Sequence, residues 1–156
     1  TKKYIKDKYF LMLLPDDLII KKNCSKSMIR SHRKFKASVM ASMSVNKKTV
    51  SRWGVFNLGV KLNKTDHLIK GVVEKPDIKK APSNKVVIGR YILPKSIFKK
   101  LSKMKVGKGG EIHITDAIQS MIKENEKFVA HNFSGKYLDC GSMHGYIKST
   151  KEISKL

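Results

Sequence analysis

The stretch Gly71-Val72-Val73-Glu74-Lys75-Pro76 puts a carboxylate, an ammonium and a proline side by side at the end of a β-branched run. Valines favour a strand and proline stops it, so Glu74 and Lys75 fall at a strand end. Open α/β sheets hold their ligands in strand-end loops, where an adjacent acid and base can grip a phosphorylated sugar from two sides. The acid takes hydroxyl hydrogens and the base takes the phosphate.

Outward from this stretch the chain alternates strand-like and helix-like segments. Residues 9–14 are a continuous apolar run broken by Pro15, which predicts a strand buried on both faces of a largely parallel sheet, with Asp16 at its end. A helical pattern covers 25–36, and 39–45 alternate as a second strand. Residues 53–56 and 69–73 read as strands on either side of the polar stretch 63–67, which predicts a hairpin. After the Pro-, Ser- and Lys-rich loop 77–85, a strand over 86–93 leads into a helix opened by Pro94 and running to about Met104. Gly107, Gly109 and Gly110 then end regular structure. Thr115 is the expected N-cap of the next helix, with Asp116 in its first turn. A strand over 127–133 and a last helix over 142–153 follow. No internal repeat or long linker interrupts the series, so the expectation is a single domain over 1–156, a mixed α/β layer sandwich.

Composition excludes several classes of function. The 156 residues are 40% hydrophobic, enough for a core. A formal charge of +22 raises nucleic-acid binding as a possibility. Arginine occurs only at 30, 33, 52 and 90, however, and the many lysines are scattered from Lys2 to Lys155. Forked recognition of bases and phosphates favours Arg, so no specific nucleic-acid partner is expected, only non-specific attraction to polyanions at low salt. Cys24 and Cys140 stand far apart in no metal-ligand spacing and read as free thiols in a reducing cytoplasm. The five histidines form no cluster, no Ser/His/Asp set is legible, and no apolar run approaches a membrane span.

Further phrases flank the central one in a definite order. Leu13-Leu14-Pro15-Asp16-Asp17 and Trp53-Gly54-Val55 precede it. Ala81-Pro82-Ser83-Asn84, Gly89-Arg90-Tyr91, Gly109-Gly110-Glu111-Ile112-His113-Ile114-Thr115-Asp116-Ala117-Ile118 and Leu138-Asp139-Cys140-Gly141 follow. In that order and at those spacings, from about Phe10 to Tyr146, the chain resembles the bacterial UTP:glucose-1-phosphate uridylyltransferases. The resemblance implies a nucleotide-diphospho-sugar transferase-like, Rossmann-like fold with a mixed, mostly parallel sheet flanked by helices. The family's N-terminal glycine-rich nucleotide loop has no counterpart here, and the first residue is Thr1. The expectation is therefore an N-terminally truncated, C-terminal part of a longer enzyme that does not form UDP-glucose alone.

The resemblance also assigns roles. Glu74 matches the ligand of the sugar hydroxyls and Lys75 the ligand of the sugar's phosphate. Gly54 matches a point where the backbone approaches the sugar, and Val87 and Tyr91 match pocket-lining positions, although both also suit a core. Asp16 and Asp139 match acidic positions around a Mg2+ ion, which takes oxygen ligands and usually only one or two carboxylates. On the residues alone, Asp16 equally suits the start of a turn after Pro15, and Asp139 suits a cap on the last helix. Asp17 is expected to point away if Asp16 points in. Lys75 and Asp16 are the implied catalytic residues, UTP and glucose 1-phosphate the implied partners, and a homo-oligomer the implied state of the full-length enzyme. The alternatives are a non-catalytic remnant or scaffold half, a thymidylyl- or cytidylyltransferase, and a polyanion-binding module.

Overall fold

The computed structural model describes residues 1–106 and 110–156, so the expectation at Gly107 and Gly109 lies outside the described residues. Strand β1 (Tyr9–Leu13) runs through a corner into β2 (Asp17–Ile20), and α1 (Cys24–Phe35) follows, capped by the Asn23 side chain, which accepts from Lys26 N. Next come β3 (Ser38–Ser44), the hairpin of β4 (Gly54–Lys61) and β5 (Asp66–Glu74), and the long strand β6 (Lys85–Pro94). The remainder is α2 (Ile97–Leu101), α3 (Ile114–Lys123), β7 (Phe128–Asn132), β8 (Lys136–Asp139) and α4 (Met143–Ile153).

Six strands form one sheet in the order β1-β6-β3-β7-β5-β4, and β2 pairs with β8 in a separate two-stranded sheet. A mixed sheet flanked by helices is the fold that was expected, but the mostly parallel pairing was not realised. Of the successive neighbours in the large sheet, β3 and β7 alone run parallel. Parallel neighbours need a long crossover, as β3 and β7 have, whereas β4 and β5 are joined by a tight hairpin that forces them antiparallel.

The sheet is apolar on both faces. Met40, Ile69, Val72, Val87, Tyr91 and Leu93 pack with Ile97, Ile118 and Met121 of α2 and α3 on one side. On the other, Val39, Ala41, Val86, Ile88 and Ile92 pack with Cys24 and Met28 of α1. The alternation along β3 and β6 is the two-residue period of a strand covered on both sides. The run 9–14 departs from its expectation. Strand β1 is an edge strand with β6 as its hydrogen-bonded partner, and Leu13 is 50% exposed.

Three further local expectations shift. Pro94 closes β6 rather than opening a helix, and α2 is a short helix three residues on. His113, not Thr115, is the N-cap of α3, which moves Thr115 inside the first turn with Asp116. The small sheet was not foreseen, because four-residue strands carry too little pattern to stand out from loops.

Strand β6 contains the tightest point of the fold. Met40 faces Tyr91 while Ala41 faces Ile88, so Gly89 and Arg90 bulge from the β3 ladder. The freed Gly89 N–H donates to Asp17 Oδ2 at 2.6 Å, and Gly89 O accepts from Leu14 N at 2.8 Å. A Cβ at Gly89 would lie 2.6 Å from Leu14 Cβ and closer still to the Asp17 carboxylate. Replacing Gly89 with Ala should therefore lower stability by about 1–3 kcal/mol, the usual cost of overpacking. A urea unfolding curve checks this, and an unchanged midpoint would show that the corner has slack.

Candidate functional site

Glu74 and Lys75 stand where β5 ends. Lys75 N donates to Trp53 O at 3.0 Å, and Lys75 takes φ 42°, a left-handed conformation unusual for a residue with a side chain. Backbone strain of this kind concentrates at ligand sites. Pro76 is buried behind the turn, and the Ser83 hydroxyl donates to Phe56 O at 2.6 Å, tying the following loop to β4. The pair opens on a cavity of about 600 Å3, lined also by Val72, Val73, Glu111, His113 and Asp116.

The other residues expected around this pair divide between wall and core. Gly54 is buried against it, and a Cβ there would lie 3.1 Å from Glu74 Oε2, 3.2 Å from Val87 Cγ2 and 3.3 Å from Thr115 Cγ2. Gly54 thus lets β4 close up behind the glutamate. Val87 and Tyr91 are buried in the core beneath it and do not line the cavity. Glu111 does line it, together with two residues from the start of α3.

Asp16 and Asp139 come from opposite ends of the chain to one place. The small sheet pairs Asp17 with Asp139, and Cys140 N donates to Asp16 O at 2.7 Å. A Cβ at Gly141 would lie 2.7 Å from Asp16 Oδ2 and 3.4 Å from Asp139 Oδ1, so both carboxylates flank the same spot. Asp139 Oδ1 accepts from Gly141 N at 2.9 Å, and Ser142 caps α4 in its stead. Among the described residues no three His, Cys, Asp or Glu side chains cluster as metal ligands. Two carboxylates with hard oxygen donors nevertheless suit a hydrated divalent cation that shares its remaining positions with phosphate and water.

Asp17 turns the other way, as expected. Its Oδ1 accepts from the Tyr137 hydroxyl, and burial together with this carboxylate holds the Tyr137 phenol above its ordinary pKa and protonated. Tyr137 in turn meets Trp53 edge to face, with ring centroids 5.8 Å apart.

The structure also brings together a Ser, a His and an Asp that are far apart in the sequence. His131 Nδ1 lies 2.7 Å from Asp66 Oδ1, and His131 Nε2 lies 2.9 Å from Ser27 Oγ. Ser27, however, donates its hydroxyl hydrogen to Cys24 O at 2.7 Å. That proton is committed to the helix, so the series lacks the step on which an activated nucleophile depends. Asp66 is 3% exposed and accepts from Ser31, Asn63 and Thr65 as well, binding α1 and the β4–β5 loop to the sheet. The Cys24 thiol is pushed up to about 11 by burial, with Arg90 opposing, and both cysteines are free.

The sequence pattern of the nucleotidyl transferase family matches residues 1–155, and the chain belongs to that family. It is 37% identical over 143 residues to the UTP–glucose-1-phosphate uridylyltransferase of Komagataeibacter xylinus, covering 91% of this chain and 50% of that protein. The enzyme of the same name from Pseudomonas aeruginosa is 36% identical over 149 residues, covering 94% of this chain and 53% of its own. The chain spans about half the length of these curated relatives. Among solved structures, a UDP-glucose pyrophosphorylase complexed with UDP-glucose superposes with a TM-score of 0.91 at 39% identity, over 99% of this chain and 59% of that one. An apo UDP-glucose pyrophosphorylase gives 0.91 at 38%, over 99% of this chain and 57% of that one.

Three residues to which the sequence assigned no part in the site hold it together: Asp17, Thr115 and Gln119. Asp17 was legible as one of an adjacent acidic pair, and Thr115 and Gln119 as polar residues one helical turn apart on a helix otherwise packed inward. Asp66 carries a testable electrostatic consequence. Burial alone would raise its pKa, but hydrogen bonds from His131, Ser31, Asn63 and Thr65 outweigh it and hold the carboxyl well below the ordinary range. A depressed folded pKa gives stability that is complete above the unfolded value of about 3.9 and is lost as pH falls toward the folded one. Asp66→Asn should cost about 3 kcal/mol at pH 7, the scale of a broken buried pair, and the gap to the parent should narrow below about pH 4. Denaturant titrations across that range check it, and a gap constant down to pH 3 would contradict an ionised Asp66.

Proposed function

We propose that this chain supplies the sugar-phosphate and metal side of a UTP:glucose-1-phosphate uridylyltransferase, which forms UDP-glucose and pyrophosphate. The observation that carries this reading is the pairing of Glu74 and Lys75 on one cavity, with the Asp16 and Asp139 carboxylates gathered at Gly141. The names of the relatives, and the UDP-glucose bound to one similar structure, support it.

In this reading Glu74 accepts hydrogens from the sugar hydroxyls, and the Lys75 ammonium holds the sugar's phosphate. The phosphate is already an ionised nucleophile, so no residue needs to remove a proton before it attacks the α-phosphorus of UTP. Lys75 brings two mutually repelling anions together and draws off charge as the new bond forms. Asp16 and Asp139 would hold a Mg2+ ion, which would supply charge neutralisation for the phosphates. Gly54 lets the backbone of β4 come close behind Glu74.

Exchanging Asp16 for Asn removes a charge at nearly constant volume. In the complete enzyme it should lower pyrophosphate release from UTP and glucose 1-phosphate by about 100-fold or more, the scale of a lost electrostatic contact in a transition state. Circular dichroism should show the fold retained. Parent-like turnover in Asp16→Asn would remove this residue from the mechanism.

A further inference from the structure

The end of β5 is shaped by α3. Strand β5 carries one extra residue, Lys70, because Asn57 faces Gly71 while Leu58 faces Ile69. Just beyond this bulge the Val72 N–H donates to Gln119 Oε1 at 2.7 Å. Two residues further, Glu74 Oε2 accepts from Thr115 Oγ1 at 3.0 Å. Thr115 and Gln119 are one helical turn apart, ~6 Å along the axis, and Val72 and Glu74 are separated by ~6.6 Å along a strand. Helix and strand therefore present matching steps. Gly71 leaves room for this contact, since a Cβ there would lie 2.9 Å from Gln119 Oε1. Thr115 itself is 4% exposed, and its methyl group faces the space over Gly54 beside the same carboxylate oxygen.

Resting on the reading of Glu74 as the sugar-hydroxyl ligand, we propose that Thr115 is a positioning residue that fixes the Glu74 carboxylate and so sets discrimination among hexose 1-phosphates. An exposed glutamate rotates freely about its last torsion and accepts from hydroxyls in several directions. With Oε2 held by a buried hydroxyl and close against Gly54, the carboxylate plane has one orientation. A fixed acceptor distinguishes an equatorial from an axial hydroxyl, whereas a mobile one follows either. The phosphate is held by Lys75 in this reading and does not depend on Thr115.

The test compares Thr115→Val, which keeps the shape and removes the hydroxyl, with Thr115→Ser, which keeps the hydroxyl. Binding of glucose 1-phosphate, galactose 1-phosphate and inorganic phosphate is measured by calorimetry on each variant and on Lys75→Ala. Thr115→Val should weaken glucose 1-phosphate about tenfold, bring it level with galactose 1-phosphate and leave inorganic phosphate unchanged, while Thr115→Ser stays close to the parent. Lys75→Ala should weaken all three ligands. If Thr115→Val keeps the parent's preference between the two sugars while Lys75→Ala weakens binding, the positioning role is overturned and the site reading stands. If the parent binds none of the ligands, or Lys75→Ala changes none of them, the site reading fails and the inference fails with it.

Discussion

The Asp17 carboxylate, wedged between Gly89 and Tyr137, is the contact on which the arrangement of the molecule turns. One oxygen accepts from a backbone N–H of the large sheet and the other from a side chain of the small one. This contact ties the two-stranded sheet of β2 and β8 directly to β6. The bulge at Gly89 makes the contact possible twice over: it frees the N–H from the β3 ladder, and the missing side chain admits the carboxylate. Once Asp17 is seated, its neighbour Asp16 is turned outward, and the pairing of Asp17 with Asp139 brings the second carboxylate alongside.

Strand β6 spans the two sides of the candidate site. Val87 packs at Gly54 beside Glu74, and Gly89, two residues on, holds Asp17. The acid–base pair and the aspartate pair are thus referred to neighbouring positions of one buried strand. A strand covered on both faces resists local opening, which keeps the separation of the two pairs constant. The residues presented to solvent are held from behind: Lys75 by the backbone of Trp53, Glu74 by the buried Thr115, and Asp16 by the corner around Gly89.

The charge distribution sharpens this picture. The chain carries +22, yet among the described residues the wall around Glu74 holds Glu111 and Asp116 with Lys75 as its one lysine. The lysine excess lies elsewhere, mostly solvated, and several of its ion pairs are exposed pairs such as Lys80–Asp77 that contribute little. Stability rests on the two apolar layers and on buried polar hubs such as Asp66, with both carboxylate oxygens engaged. At the cavity, Lys75 shares the lining with the carboxylates of Glu74, Glu111 and Asp116.

By itself the sequence determined the local vocabulary: apolar runs for the strands, a helix over 25–36, the hairpin around 63–67, the turn at Pro76 and the order of phrases that marks the family. These depend on propensity and period, which neighbouring residues decide. The direction of each strand, the edge position of β1 and the existence of the small sheet depend on which segments meet across the fold, and no short window contains that information. The same divide runs through the site. Glu74 and Lys75 are adjacent in sequence and were legible together, whereas Asp16 and Asp139 could be paired only by resemblance until β2 was found lying against β8. Thr115 read as a helix cap because its neighbours suit one. Only the tertiary structure gave its hydroxyl to Glu74, 41 residues away, because hydrogen bonding in a buried space is settled by what packs there.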